Sequence, residues 1–401
     1  MTGKDKSIMI VAGGEWQVPI IRKAKSMGLF VINSNLYHDS PGFAIADVGL
    51  VANVLDRERN LEFARQYRPD AIVTDQSDIA VPTVAYLCSE LGLPGIGMEA
   101  AELFTNKHAM RRFCRENGFP TPDFRLCQSV EEVTRFAERT GYPFVMKPPA
   151  NQSSRGVYKI GSRDEIPRCY ADALEHSFDG SVLVEEFIDG PEFTVEGFKT
   201  HARAYSLAVS LKRHFEHTEM VASSLLYSHA NDSYDYGALK KLNADLVERM
   251  GLPFGITHAE YKHQNDRFYL VEIAARGGGT KISSHIIPEM SGVDANELLI
   301  RCALGEEIGG IEPAERPLHI ILDFFLFPSG PVRAMHGLDW MSHNPAIIDF
   351  GMNFTIGDTL LPPADDRARH GYYIAKSPTG DGLRELCADI HRRVRVEIRS
   401  R

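Results

Sequence analysis

The sequence predicts an α/β region that gives way to α+β structure, on three observations. Short apolar runs alternate with helix-like stretches over residues 1–118, the pattern of a parallel sheet. The middle of the chain sets alternating apolar and polar residues on either side of tight turns, the pattern of antiparallel hairpins. Beyond Pro317 strand-like runs dominate again, and a helical stretch closes the chain.

Ser7–Ala12 (SIMIVA) reads as a buried parallel strand, Gly13-Gly14 as a tight turn, and 15–27 as a helix. Further strands are expected at Phe30–Asn33, Asp47–Ala52 and Ala71–Thr74, with helices at Leu61–Tyr67 and Val81–Leu91, the latter closed by Gly92. Ligands of such sheets sit beyond the strand C-termini. Gly13-Gly14 and Asp75–Asp78 are therefore expected to share one crevice. Gly13-Gly14 falls short of G-x-G-x-x-G, which argues against a nicotinamide oxidoreductase. A helix is predicted over Ala101–Asn117, broken by Gly118-Phe119-Pro120, and a domain boundary is placed there.

Val130–Arg139 reads as a helix. Pro143–Lys147 reads as a strand ending in a lysine, a residue that is uncommon inside unless paired. Asn151–Val157 is a loop of small and polar residues, which lets backbone N–H groups approach an anion. Val182–Gly197 reads as strand, turn at Asp189-Gly190-Pro191, strand. A strand over Ala202–Lys212, a polar loop over Tyr227–Tyr236 and a helix over Gly237–Met250 follow. Ile256–Lys262 and Phe268–Ala275 form a hairpin about Asn265-Asp266, which can bring Glu260 and Glu272 onto one face. Two carboxylates held together call for a cation between them, and hard oxygen donors favour Mg2+. Arg276-Gly277-Gly278-Gly279 follows directly: an arginine fork suited to growing negative charge, then glycines that admit a ligand to the backbone. A helix at Asp294–Leu304, strands at His319–Phe327, Val332–Met335 and Tyr372–Lys376, and a helix at Leu383–Val396 complete the pattern.

The bulk numbers bound the partners. A formal net charge of −10 over 401 residues argues against a general nucleic-acid binder. The six cysteines are dispersed without a C-x-x-C pair, so reduced buried thiols are expected rather than a metal cluster or disulfides. No run approaches the roughly 20 apolar residues of a membrane span, and the N-terminus lacks the apolar run of a signal peptide. A cytoplasmic protein is the simplest expectation.

Taken together, NKHAMRRFCRENGFPTP (106–122), VMKP (145–148), Asn151–Val157, VEEFIDGPE (184–192) and LVEIAARGGG (270–279) resemble, in order and spacing, the ATP-grasp superfamily of carboxylate–amine ligases. The resemblance runs from about Ile8 to Arg401. It implies an N-terminal parallel-sheet domain (1–118), a two-lobed ATP-grasp module (119–310, small lobe about 119–188, large lobe about 189–310) and a small α+β C-terminal domain (311–401). It further implies ATP phosphates on Lys107 and Lys147, under a flap that includes Ser153, Ser154 and Gly156. Adenine would lie in a hinge of Glu185, Glu186, Phe187 and Ile188, with ribose on Glu192. Lys212 would meet phosphates or a substrate carboxylate, although a solvated turn fits it equally. Glu260 and Glu272 would hold Mg2+ (or Mn2+), Arg276 would be catalytic, and Gly277, Gly278 and Gly279 with Gly14, Asp75 and Ser77 would bind substrate. Ala274 stands where the family usually has asparagine, which puts a second metal ion in doubt. The implied function is activation of a small carboxylate as an acyl phosphate and its joining to an amine. The RGGG ending is similar to amino-acid ligases; glycinamide ribonucleotide synthetase and biotin carboxylase are neighbouring alternatives. A nucleotide-binding regulator is the alternative outside enzymes. Small-molecule acids and amines are the expected partners, without nucleic acid or membrane, and a homodimer stays open.

Overall fold

The computed structural model describes residues 6–150, 156–177 and 179–399. Four parallel strands, β1 (Ser7–Val11), β2 (Phe30–Asn35), β3 (Val48–Val51) and β4 (Ala71–Val73), pair in the order β3-β2-β1-β4. Every residue of β1 is buried because both faces of the sheet are covered. Ile8 and Ile10 enter one core and Met9 and Val11 the other, as the two-residue period of a strand requires. The first of these cores also contains Leu298, Leu299 and Ile300 of the helix Ala295–Ala303. The strand order reverses between β1 and β4, so their C-terminal ends open on one crevice.

Two helices differ from expectation here. The first opens as a 3-10 turn, Glu15–Gln17, and becomes α-helical only over Val18–Ser26, with Pro19 in its first turn. The helix predicted over Ala101–Asn117 is two, Met98–Leu103 and Lys107–Glu116. Asn106 divides them, because its side chain accepts from Ala109 N at 3.1 Å and starts a new helix. Lys107 therefore occupies a first turn rather than mid-helix.

A four-stranded antiparallel sheet follows: β5 (Phe124–Cys127), β6 (Phe144–Lys147), β7 (Tyr158–Ile160) and β8 (Val182–Glu186), in the order β5-β8-β6-β7. Helices Val130–Thr140 and Ile166–Glu175 cover one face through Val133, Phe136, Ile166 and Tyr170. The remaining strands are β9 (Glu192–Lys199), β10 (Ala204–Phe215), β11 (Thr218–Tyr227), β12 (Gly255–Gln264), β13 (Arg267–Ala274), β14 (His319–Phe324), β15 (Gly330–His336), β16 (Ile347–Met352), β17 (Thr359–Leu360), β18 (Gly371–Ser377) and β19 (Arg395–Ile398). Eight of them form one sheet, β13-β12-β9-β10-β11-β14-β18-β16. That sheet passes residue 310 without a break, through pairs such as Leu226 with Ile321. Tyr227, read as the start of a loop, ends β11 and is fully buried. The final helix stops at Arg393, and Val394, in extended geometry, leads into β19, which pairs with β15.

Candidate active site

Two elements bring three cations together between the two antiparallel sheets. The amide of Lys107 donates to Pro149 O at 2.7 Å, which ties the start of its helix to the segment after β6. Lys107 Nζ lies 3.0 Å from Glu272 Oε2. One helical turn on, the fully buried Arg111 pairs with Glu185 at 2.7 Å and donates to Val271 O at 2.6 Å. Lys147 Nζ, at the end of β6, reaches the same carboxylate at 2.6 Å. Among the described residues, these three cations meet the carboxylates of Glu185 and Glu272. Burial, with Arg111 and Lys107 nearby, outweighs Glu185 and pushes Lys147 down to about 8. An added anion would relieve that repulsion, so the donor set fits phosphate. Sequence reasoning missed Arg111, although its i,i+4 spacing from Lys107 places both on one helix face.

The Glu185 carboxylate is buried in ion pairs with Arg111 and Lys147, so of this residue only backbone groups are left for the expected hinge contact. Glu186 is exposed, and its amide donates to Asp123 O at 2.8 Å. Phe187 lies under Lys159, whose Nζ is 4.3 Å from the ring centroid, and Ile188 is buried. Ser153 and Ser154 lie outside the described residues. Gly156 has a left-handed φ of +66°, and a Cβ there would meet His176 at 3.0 Å.

A second charged chain crosses the large sheet. Glu192 and Lys212 are register partners on β9 and β10, 2.6 Å apart. Lys212 also donates to Glu260 Oε1 at 2.9 Å. Glu260 and Glu272 face each other directly on β12 and β13, with a register shift just after Glu260. Burial pushes Glu260 up, but Lys212 and His258 outweigh it and hold its carboxyl well below the usual range. His258 Nδ1 is 2.9 Å from an oxygen of the fully buried Glu196. Burial opposes its charge, yet Glu196 raises it to about 9. Neither His258 nor Glu196 stood out in the sequence, since each sits in an ordinary alternating strand. Among the described residues no three His, Cys, Asp or Glu side chains converge as a metal site, and Ala274 faces His258 where a further ligand could stand. Two carboxylates still suit a divalent cation that takes its other oxygens from phosphate and water.

Arg276 ends this hairpin and crosses to the N-terminal sheet. Its Nε and Nη2 donate to the two oxygens of Asp78, both at 2.7 Å, and Nη1 donates to Gly277 O at 2.8 Å. The Asp78 carboxylate beside it outweighs burial and raises the guanidinium further. A cavity of about 450 Å3 opens beside Arg276, Glu260, Lys212 and His258. Its N-terminal wall is Glu15, Trp16, Gln76 and Asp78; the last two belong to the expected stretch 75–78, whereas Gly14, Asp75 and Ser77 do not line it. Asp75 is fully buried and accepts from Gly277 N at 2.9 Å and Ser283 Oγ at 2.6 Å, so it anchors the glycine loop instead of meeting a ligand. Gly14 N donates to Gln17 Oε1 at 3.0 Å within the 3-10 turn, and Ser77 stands at the start of the turn Asp78–Ala80. Gly277 and Gly278 are packing glycines: a Cβ would lie 2.5 Å from Asp75 Oδ1 and 2.8 Å from His258 Nδ1 respectively. Gly279, with nothing within 4 Å of its Cβ position, lines the cavity.

Residues 140–284 match the ATP-grasp domain family, and residues 323–399 match L-amino acid ligase C-terminal domain 2. A formate-dependent phosphoribosylglycinamide formyltransferase of Wolinella succinogenes is 30% identical over 184 residues, 45% of this chain and 47% of that protein. The chain thus spans about half the length of that curated relative. An L-amino acid ligase structure from Bacillus licheniformis superposes with a TM-score of 0.85 at 21% identity, covering 100% of both chains. The biotin carboxylase domain dimer of the Hydrogenobacter thermophilus 2-oxoglutarate carboxylase, complexed with MgADP, superposes at 0.77 with 18% identity, over 98% of this chain and 91% of that one.

Proposed function

From the premise that this chain carries an ATP-grasp domain and an L-amino acid ligase C-terminal domain, we propose that it is an ATP-dependent ligase. It joins a small carboxylic acid to an amine, both amino acids or close relatives, and releases ADP and phosphate. The observation that carries this reading is the three-cation cluster of Lys107, Arg111 and Lys147 beside the facing pair Glu260 and Glu272. Phosphates bound there offset the positive charge. Glu260 and Glu272 would hold Mg2+, which when bound neutralises phosphate charge and orients the transferred group. The acid binds in the cavity, and its carboxylate oxygen attacks the γ-phosphorus in line to give an acyl phosphate and ADP. Arg276, fixed by Asp78, presents its remaining N–H edge to the charge that grows in that step. The amine then attacks the acyl carbon and phosphate leaves. Glu192 and the backbone of residues 186–188 would receive the nucleoside, and Ser153, Ser154 and Gly156 would cover the phosphates. We also propose a cytoplasmic location, and domain limits near 118 and 310.

Ala274 favours a second reading, a regulator that binds nucleotide without turnover. Phosphate release with pools of amino acids and other small carboxylates, followed by mass spectrometry of products, separates the two. Release that depends on added acid and amine, with a product mass equal to their sum less water, is expected. Nucleotide binding without release across every pool would leave the regulator.

A further inference from the structure

The cavity joins two chemically different surfaces. Its charged side chains are met by opposite charges: Arg276 by Asp78 at 2.7 Å, Lys212 by Glu260 at 2.9 Å, Arg369 by Asp366 at 2.5 Å and Arg367 by Asp365 at 2.7 Å. Its floor is apolar apart from Arg369, whose guanidinium carbon lies 3.7 Å from the centroid of the Phe324 ring. Ala222 and Leu225 come from β11, Leu322 and Phe324 from β14, and Tyr372 from β18. These side chains top one core cluster. Trp16 closes the floor at the N-terminal side and meets Tyr372 edge-on, ring centroids 5.5 Å apart.

We propose that one of the joined amino acids carries a bulky apolar side chain, which lies on this floor against Trp16, while its α-groups face Glu260 and Arg276. The inference rests on the ligase reading and adds the substrate's side chain to it. A charged side chain entering here must break an existing ion pair or lose its hydration unpaired, and both are costly. An apolar side chain leaves water without either loss. Pockets of this kind discriminate on size: each methylene of contact is worth about tenfold or more in kcat/KM.

The test is kcat/KM from phosphate release across glycine, alanine, leucine, phenylalanine, aspartate and lysine, each with the other amino acids as partner. Leucine or phenylalanine is expected to exceed glycine by at least about 100-fold. Ala222→Phe, which fills the floor, is expected to lower that preference about tenfold or more, and Trp16→Ala, which removes the end wall without filling anything, to lower it likewise. Retained MgATP affinity reports that each variant is folded. Preferred turnover of aspartate or lysine overturns this inference and leaves the ligase reading standing. Absence of release with every amino acid overturns the ligase reading instead. Calorimetry with norleucine then decides the pocket: binding weakened about tenfold in Trp16→Ala supports it, and no binding to the native protein overturns it.

Discussion

Lys147 is held close to losing its proton, and its role follows from that. In the unfolded chain a lysine titrates near 10.4, whereas here burial and two neighbouring cations bring it to about 8. Between those values the unfolded chain binds the extra proton, so this residue's contribution to stability improves as pH rises through that window. Its contribution to the proposed nucleotide binding runs the other way, because phosphate needs the charged form. ATP affinity is expected to be flat below pH 7 and to fall above pH 8, by up to about tenfold per pH unit. Calorimetric titration from pH 6.5 to 9.5 measures this. Lys147→Arg, charged throughout, should flatten the profile, and an equally steep fall in that variant would assign the titration to another group. Lys147 was legible because a lysine after an apolar run needs a partner. Arg111 was not, since an arginine in a helix with several others carries no local mark of burial. Asp75 misled, because position at a strand end does not say whether a carboxylate points to solvent or, as here, caps a neighbouring loop.

The hairpin β12–β13 was legible as an element because period, length and turn agree. Asn265 and Asp266 both adopt left-handed φ, 50° and 57°, as a tight hairpin connection requires. Strand β11 was not legible: TEMVASSLLY mixes polar residues into both faces and lacks clean alternation. Its polar positions make sense only beside β10 and β14, which sequence does not place there. The segment after β13 shows how one loop serves several elements. Arg276 is fixed by Asp78, Gly277 by Asp75 and Lys281 N by Gln76 Oε1 at 2.8 Å, all from the segment that follows β4. Arg276→Lys keeps a cation and loses the planar fork, so the two-point hold on Asp78 is lost. The expected outcome is a fall of about 100-fold in kcat, with ATP affinity unchanged because Lys107, Arg111 and Lys147 are untouched. Steady-state rates beside a direct ATP titration measure both, and parallel loss of rate and affinity would make Arg276 a nucleotide anchor.

At the scale of the molecule, the candidate site draws on the N-terminal sheet, both antiparallel sheets and the last strands, so a ligand there ties them together. MgATP is expected to raise the melting temperature, with about 2.7 kcal/mol of stabilisation at a hundredfold excess over Kd. Thermal unfolding followed across millimolar nucleotide checks this, and an unmoved transition would remove ATP from the account. The order of domains could be read along the chain, because each changes the local pattern of apolar residues. The continuity of the eight-stranded sheet could not, since it depends on pairing between β11 and β14, segments with no local relation in sequence. That pairing has a consequence for a nascent chain. On the ribosome β11 emerges about 90 residues before β14, which at 5–20 residues per second is roughly 5–18 s. Throughout that interval the growing sheet ends in an unprotected edge, open to another copy on the same message. The slow step of biogenesis would then be waiting for the C-terminal strands, and substitutions that loosen β14 should cost yield in the cell before they cost activity in the purified protein.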